Sequence, residues 1–94
     1  MPAYLIGTIR VTDPATWQRY VEQVGATFPP HGGTVLFRGS KALELNRSAH
    51  GERVVVAQFD SLAALRAWHG CAEYQALIAL RDGGAEVTLT AYEA

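Results

Sequence analysis

The apolar residues of this chain switch from a period of two to one of about 3.6 and back again, twice, within 94 residues. Residues 3–11 alternate, with Ala3, Leu5, Gly7, Ile9 and Val11 on one face and Tyr4, Ile6, Thr8 and Arg10 on the other, as in a strand with one face on a core. Asp13-Pro14 then supplies a capping carboxylate and a proline for the first helical position. Trp17, Tyr20, Val21, Val24 and Phe28 follow at helical spacing. Pro29-Pro30 predicts the end of that helix and His31-Gly32-Gly33 a turn. Residues 34–38 read as a second strand, resumed at 42–45 beyond a break near Gly39-Ser40, and Asn46 to Gly51 as a polar loop. Residues 53–59, with three consecutive valines, are the most strand-prone stretch. Asp60-Ser61 caps a second helix carrying Leu62, Leu65 and Trp68, which Gly70 interrupts. A further helical piece carries Tyr74, Leu77, Ile78 and Arg81 and stops at Gly83-Gly84, and residues 85–92 form the last strand.

Two strand–helix–strand units in so short a chain predict an α+β, ferredoxin-like βαββαβ domain spanning residues 1–94. A four-stranded antiparallel sheet would carry both helices on one face. A chain of this size buries only about 60–65% of its unfolded surface, enough for one core and not for two. Leu5, Ile9, Val55, Phe59, Val87 and Leu89 would face the helices. Tyr4, Ile6, Thr8, Val54, Val56, Gln58, Thr88 and Thr90 would form the opposite face, too apolar for water and too polar for a core. Such a face calls for a cover, and a second copy of the chain is the simplest one, so a homodimer through the open sheet face is expected.

Eight Lys and Arg against nine Asp and Glu give a net charge of −1, which excludes the basic footprint of a nucleic-acid binder. One cysteine makes no internal disulfide, and the first residues lack the basic stretch of a secretory signal, so a cytoplasmic protein is expected. No stretch has the length of a membrane span. Gly32-Gly33 and Gly83-Gly84 lack the spacing of a phosphate-binding loop, and His31, His50 and His69 stand far apart, so neither a cofactor nor a metal is expected.

Several segments, in order and nearly end to end, match one family: Ala3-Tyr4-Leu5-Ile6, Asp13-Pro14, Tyr20, Gly32-Gly33, Arg38-Gly39, Arg53-Val54-Val55 leading to Phe59, Trp68, Glu73-Tyr74-Gln75-Ala76-Leu77, and Arg81. In these the chain resembles the domain of unknown function 1330 family of the dimeric α/β barrel superfamily. The resemblance implies the ferredoxin-like fold and a dimer whose sheets face each other. The wider superfamily includes cofactor-free monooxygenases, cyclases, isomerases, haem-degrading enzymes and ligand-sensing domains, so the fold does not choose a chemistry. Two positions depart from the family: Cys71 stands where it usually has a serine, and its loop glycine is replaced near Asn46-Arg47.

Tyr20, Arg38, Trp68 and Tyr74 are the candidate ligand-binding residues. Trp68 is either a core aromatic or a pocket wall offering one N–H donor. Tyr74 either packs with its hydroxyl paired or orients a ligand as a donor or general acid. Arg38 can present a bidentate fork to a carboxylate, or pair with Glu44, Glu73 or Asp60. Arg81, in a last helical turn, reads as structural. His69 and Cys71 flank Gly70. With Cys71 capping the next helix and His69 accepting its proton they would form a nucleophilic pair, whereas a lone cysteine otherwise packs as a small hydrophobe. Three functions follow: an enzyme without a cofactor acting on a small organic acid or aromatic compound, a non-catalytic binding or sensing module, or a purely dimerising protein.

Overall fold

A computed structural model describes all residues, Met1–Ala94. The first alternating segment forms β1, Ala3–Val11. Asp13 caps α1, Pro14–Val24, its carboxylate accepting from the Thr16 backbone N–H at 3.3 Å and the Thr16 hydroxyl at 3.0 Å. The first helix does not run to Pro29-Pro30 as expected but ends at Val24, and the chain turns at Gly32, inside the expected His31-Gly32-Gly33. Between these points it continues through two 3-10 turns, Gly25–Thr27 and Pro29–His31, so Phe28 reaches the core from a corner rather than from the helix. A proline at the first position of a helical turn gives up no hydrogen bond, so the pair starts a turn here instead of ending one.

The second strand, β2, runs Thr34–Ser40 without a break at Gly39, and residues 42–45 are not a strand. The reason is the partner. β3, Arg53–Phe59, offers its first pairing position at Arg53 to Ser40, and beyond it the ladder has no second strand. The intervening segment is fastened instead by Lys41, whose N–H donates to the Glu52 carbonyl at 2.6 Å and whose ammonium donates to the Ala49 carbonyl at 2.8 Å. At Gly51 the backbone has φ +73° and lies against Ile9, where any Cβ would collide with the Ile9 carbonyl. Leu43 and Leu45 on this segment are 73% and 90% exposed.

Ser61 caps α2, Leu62–Gly70, accepting from the Ala64 N–H at 3.1 Å. The chain then breaks twice, giving α3, Ala72–Gln75, and α4, Ile78–Gly84, before β4, Ala85–Glu93. The sheet order is β2-β3-β1-β4 and every pairing is antiparallel. This is the ferredoxin-like α+β fold, with the helices on one face. The buried core includes Leu5, Ile9, Trp17, Val24, Phe28, Phe59, Leu65 and Trp68, between helices and sheet.

The other sheet face carries no layer. The pairing lays Phe37, Val56, Ile6 and Thr90 in one row across it, and Gly39, Val54, Thr8 and Thr88 in the next. Ile6, Thr8, Val54 and Val56 are half-buried, and Phe37 is exposed. His50 reaches this face from the loop and shares a 3.1 Å hydrogen bond with the Thr8 hydroxyl. No helix is long and apolar enough to cross a membrane.

Candidate functional site

On the helix side the same pairing lays down two further rows. One is Arg38, Val55, Gly7 and Leu89; the next is Ser40, Arg53, Ile9 and Val87. They floor a cavity of about 360 Å³. Gly7 explains part of its shape. A Cβ there would come within 2.9 Å of Val55 Cγ1 and 3.0 Å of Leu89 Cδ2, so only glycine lets those two side chains settle together over the central strand. Trp17, Tyr20, Val21 and Val24, one face of α1 at helical spacing, form the roof, and Phe28 and Trp68 also line it.

The polar lining residues other than Tyr20 are Arg38 and Ser40 from β2 and Arg53 from β3, neighbours where those two strands pair, and Gln18 from α1. The cavity therefore has an apolar body and a cationic side where β2 pairs with β3. Neither arginine has an ion-pair partner. The chain's ion pairs are Arg10–Glu86, Lys41–Glu44 and Arg81–Asp82. The pairing of Arg38 with Glu44, Glu73 or Asp60 weighed from the sequence is not formed, and Glu44 is engaged by Lys41 at 3.1 Å. Arg38 and Arg53 are both exposed at the rim, with their guanidinium donors uncommitted.

Trp68 lines the cavity and is 1% exposed, but its N–H is not free. It donates to the Thr27 hydroxyl at 2.9 Å, and that hydroxyl donates to the Val24 carbonyl at 2.6 Å. Trp68 thus offers a ligand apolar surface and no donor, a correction to the sequence expectation. Tyr74 is corrected as well. It is fully buried and does not line the cavity. Its ring lies 4.2 Å from that of Trp68, centroid to centroid, and its hydroxyl accepts from Arg81 Nη1 at 3.0 Å. The Tyr74 hydroxyl also lies 3.1 Å from that of Tyr20, which does line the cavity. Burial, and then the bond with Tyr74, push the Tyr20 phenol far above its usual range, so it is protonated at any physiological pH.

His69 and Cys71 lie outside the cavity. His69 is exposed, and no hydrogen bond joins it to Cys71. Cys71 does cap the next helix, but its Sγ accepts from the Tyr74 N–H at 3.4 Å and the helix has four residues. Cys71 faces a smaller cleft that His31 and Glu73 also line. The nucleophilic pair is therefore not assembled. No group of three or more His, Cys, Asp and Glu side chains converges to hold a metal. The lining of the main cavity contains no carboxylate, imidazole or thiol.

Arg53, Gln18 and Ser40 were not singled out from the sequence. The alternation of residues 53–59 carried the signal for Arg53, since it shares a face with Val55 and Phe59. Gln18 and Ser40 carry none, because the cavity's position over β2 depends on register.

The fold recurs in solved structures. A protein of unknown function from Rhodopseudomonas palustris is 19% identical with a TM-score of 0.83, over 99% of this chain and 82% of that one. A dimeric ferredoxin-like protein of unknown function from Jannaschia is 15% identical with a TM-score of 0.76, over 100% of both chains. SnoaB, a cofactor-independent oxygenase from Streptomyces nogalater, is 13% identical with a TM-score of 0.72, over 99% of this chain and 92% of that one. No curated protein matches the sequence. The family model described as Domain of unknown function (DUF1330) matches residues 2–94, and the chain belongs to that family.

Proposed function

We propose that the protein binds a small organic acid with an aromatic or unsaturated body in the cavity between α1 and the sheet. One observation carries this reading: an apolar cavity of about 360 Å³ has two arginines without ion-pair partners on one flank and no acidic group in its lining. Ligand pockets are typically about 300–1,000 Å³, so this one suits a ligand at the small end of that range. An arginine fork matches a carboxylate with two parallel hydrogen bonds, and flat aromatic walls favour an unsaturated body. Binding rather than catalysis is favoured, because the lining supplies no general base. The reading as a cofactor-independent enzyme draws on the likeness to SnoaB and on Tyr20, whose protonated phenol lines the cavity and can donate a hydrogen bond to an oxygen on which charge develops.

The acid-binding protein is further proposed to be a homodimer through the open sheet face. The row Phe37–Val56–Ile6–Thr90 supports this, as does the dimeric state given for the Jannaschia relative. Titration calorimetry with 3-phenylpropanoate and its neutral counterpart 3-phenylpropanol tests the cavity reading. The acid binds and the alcohol binds at least tenfold more weakly. Equal affinities, or no binding of the acid, would reject it.

A further inference from the structure

The hydroxyls of Tyr20 and Tyr74 lie 3.1 Å apart, and Arg81 Nη1 lies 3.0 Å from the Tyr74 oxygen. Arginine has only donors, so Arg81 fixes Tyr74 as its acceptor. The two phenols carry two hydrogens, and the bond between them uses one. If Tyr20 donated, the hydrogen left over would be that of Tyr74, which is 0% exposed and has no further partner. If Tyr74 donates, the spare hydrogen is that of Tyr20, a residue of the cavity wall. A buried donor without an acceptor is the costlier state, so the second direction prevails. The chain then runs from Arg81 to Tyr74 to Tyr20, a residue that lines the cavity. Arg81 is held in place from its other side, where Nε and Nη2 donate to Asp82 at 2.9 and 3.3 Å. Trp68 does not compete for the ligand, because its N–H is committed to Thr27.

From this hydrogen count we infer that Tyr20 is the hydrogen-bond donor of the cavity interior, oriented by Tyr74 and Arg81, and that the ligand carries a carbonyl or hydroxyl oxygen in addition to its carboxylate. The inference rests on the cavity reading above and narrows its ligand from an aromatic acid to a keto or hydroxy acid. The carboxylate meets Arg38 at the edge strand, and the second oxygen accepts from Tyr20. Tyr74 and Arg81 are positioning residues, since neither lines the cavity.

The test compares phenylpyruvate with 3-phenylpropanoate, which differ by one carbonyl in place of a methylene. Calorimetry on the wild-type protein is expected to give at least tenfold tighter binding of phenylpyruvate. In Tyr20→Phe the ratio is expected to fall below twofold. In Tyr74→Phe, where the ring remains but the orienting hydroxyl is lost, the ratio is expected to be intermediate. Equal binding of the two acids by the wild type would overturn the inference while leaving the cavity reading in place, and this arm does not depend on any variant folding. Survival of the full ratio in Tyr20→Phe would overturn it too. Binding of neither acid would overturn the cavity reading and this inference with it.

Discussion

Trp68 donates its indole N–H to the Thr27 hydroxyl at 2.9 Å, tying α2 to the 3-10 corner that follows α1. Both residues are buried, and Phe28, next in the corner, stacks on the indole with centroids 4.9 Å apart. The roof and the rear wall of the cavity are thereby one packed unit. Thr27→Val preserves the shape and leaves the indole N–H without an acceptor. It is expected to lower stability by about 1–3 kcal/mol, the cost of an unpaired buried donor, measured by urea denaturation.

Tyr20 makes a prediction about alkaline pH. Its phenol is raised in the folded state above the ordinary value of 10.0, by burial and by the bond with Tyr74. A raised pKa contributes stability that is complete below the unfolded value and lost as pH rises above it. The unfolded phenol gives up its proton from about pH 10 upward while the folded one keeps it. Stability should fall as pH is raised past 10.0, and the fall should be shallower in Tyr20→Phe, followed by thermal melting across that range.

Cys71 caps α3 with a sulfur, a weak acceptor, at 3.4 Å from the Tyr74 N–H. A serine hydroxyl is a better cap, so Cys71→Ser is expected to leave stability unchanged or raise it by less than about 1 kcal/mol. Affinity for 3-phenylpropanoate should be unaltered. Loss of binding in this variant, read by calorimetry, would bring the thiol back as a site residue.

Much of the fold is legible in the sequence for a physical reason. β1 alternates, β3 is a run of strand-prone residues with three consecutive valines, and both have pairing partners on both sides, so their limits at Ala3–Val11 and Arg53–Phe59 follow from pattern alone. Asp13 and Ser61 announce their helices because capping is a local interaction. The end of β2 is not local. It is set by where β3 begins, and no residue near Ser40 records that. In the site, helical spacing brings Tyr20 to the cavity, and Trp68 and Arg38 also line it. Tyr74 could not be placed in this way, because the break at Cys71 starts a new helix and removes the phase inherited from α2.

The open sheet face predicts the effect of Thr8→Arg. Thr8 lies between Val54 and Thr88 in the cross-strand row and accepts or donates the bond to His50. A guanidinium there would be buried without a partner in a face-to-face dimer. Light scattering of the wild type is expected to give twice the chain mass of 10.2 kDa, and of Thr8→Arg a shift toward the single-chain mass at micromolar concentration. A wild-type mass of one chain would reject the dimer.

The anion-binding cavity is tested most directly by Arg38→Met, which keeps most of the stem and removes the fork. Arg38 is exposed and free of ion pairs, so its loss should leave the melting temperature nearly unchanged. Affinity for 3-phenylpropanoate, measured by titration calorimetry in parallel, should fall by about 1.5–3 kcal/mol, the worth of a hydrogen bond to a charged group. A lower melting temperature together with unchanged affinity would contradict the account.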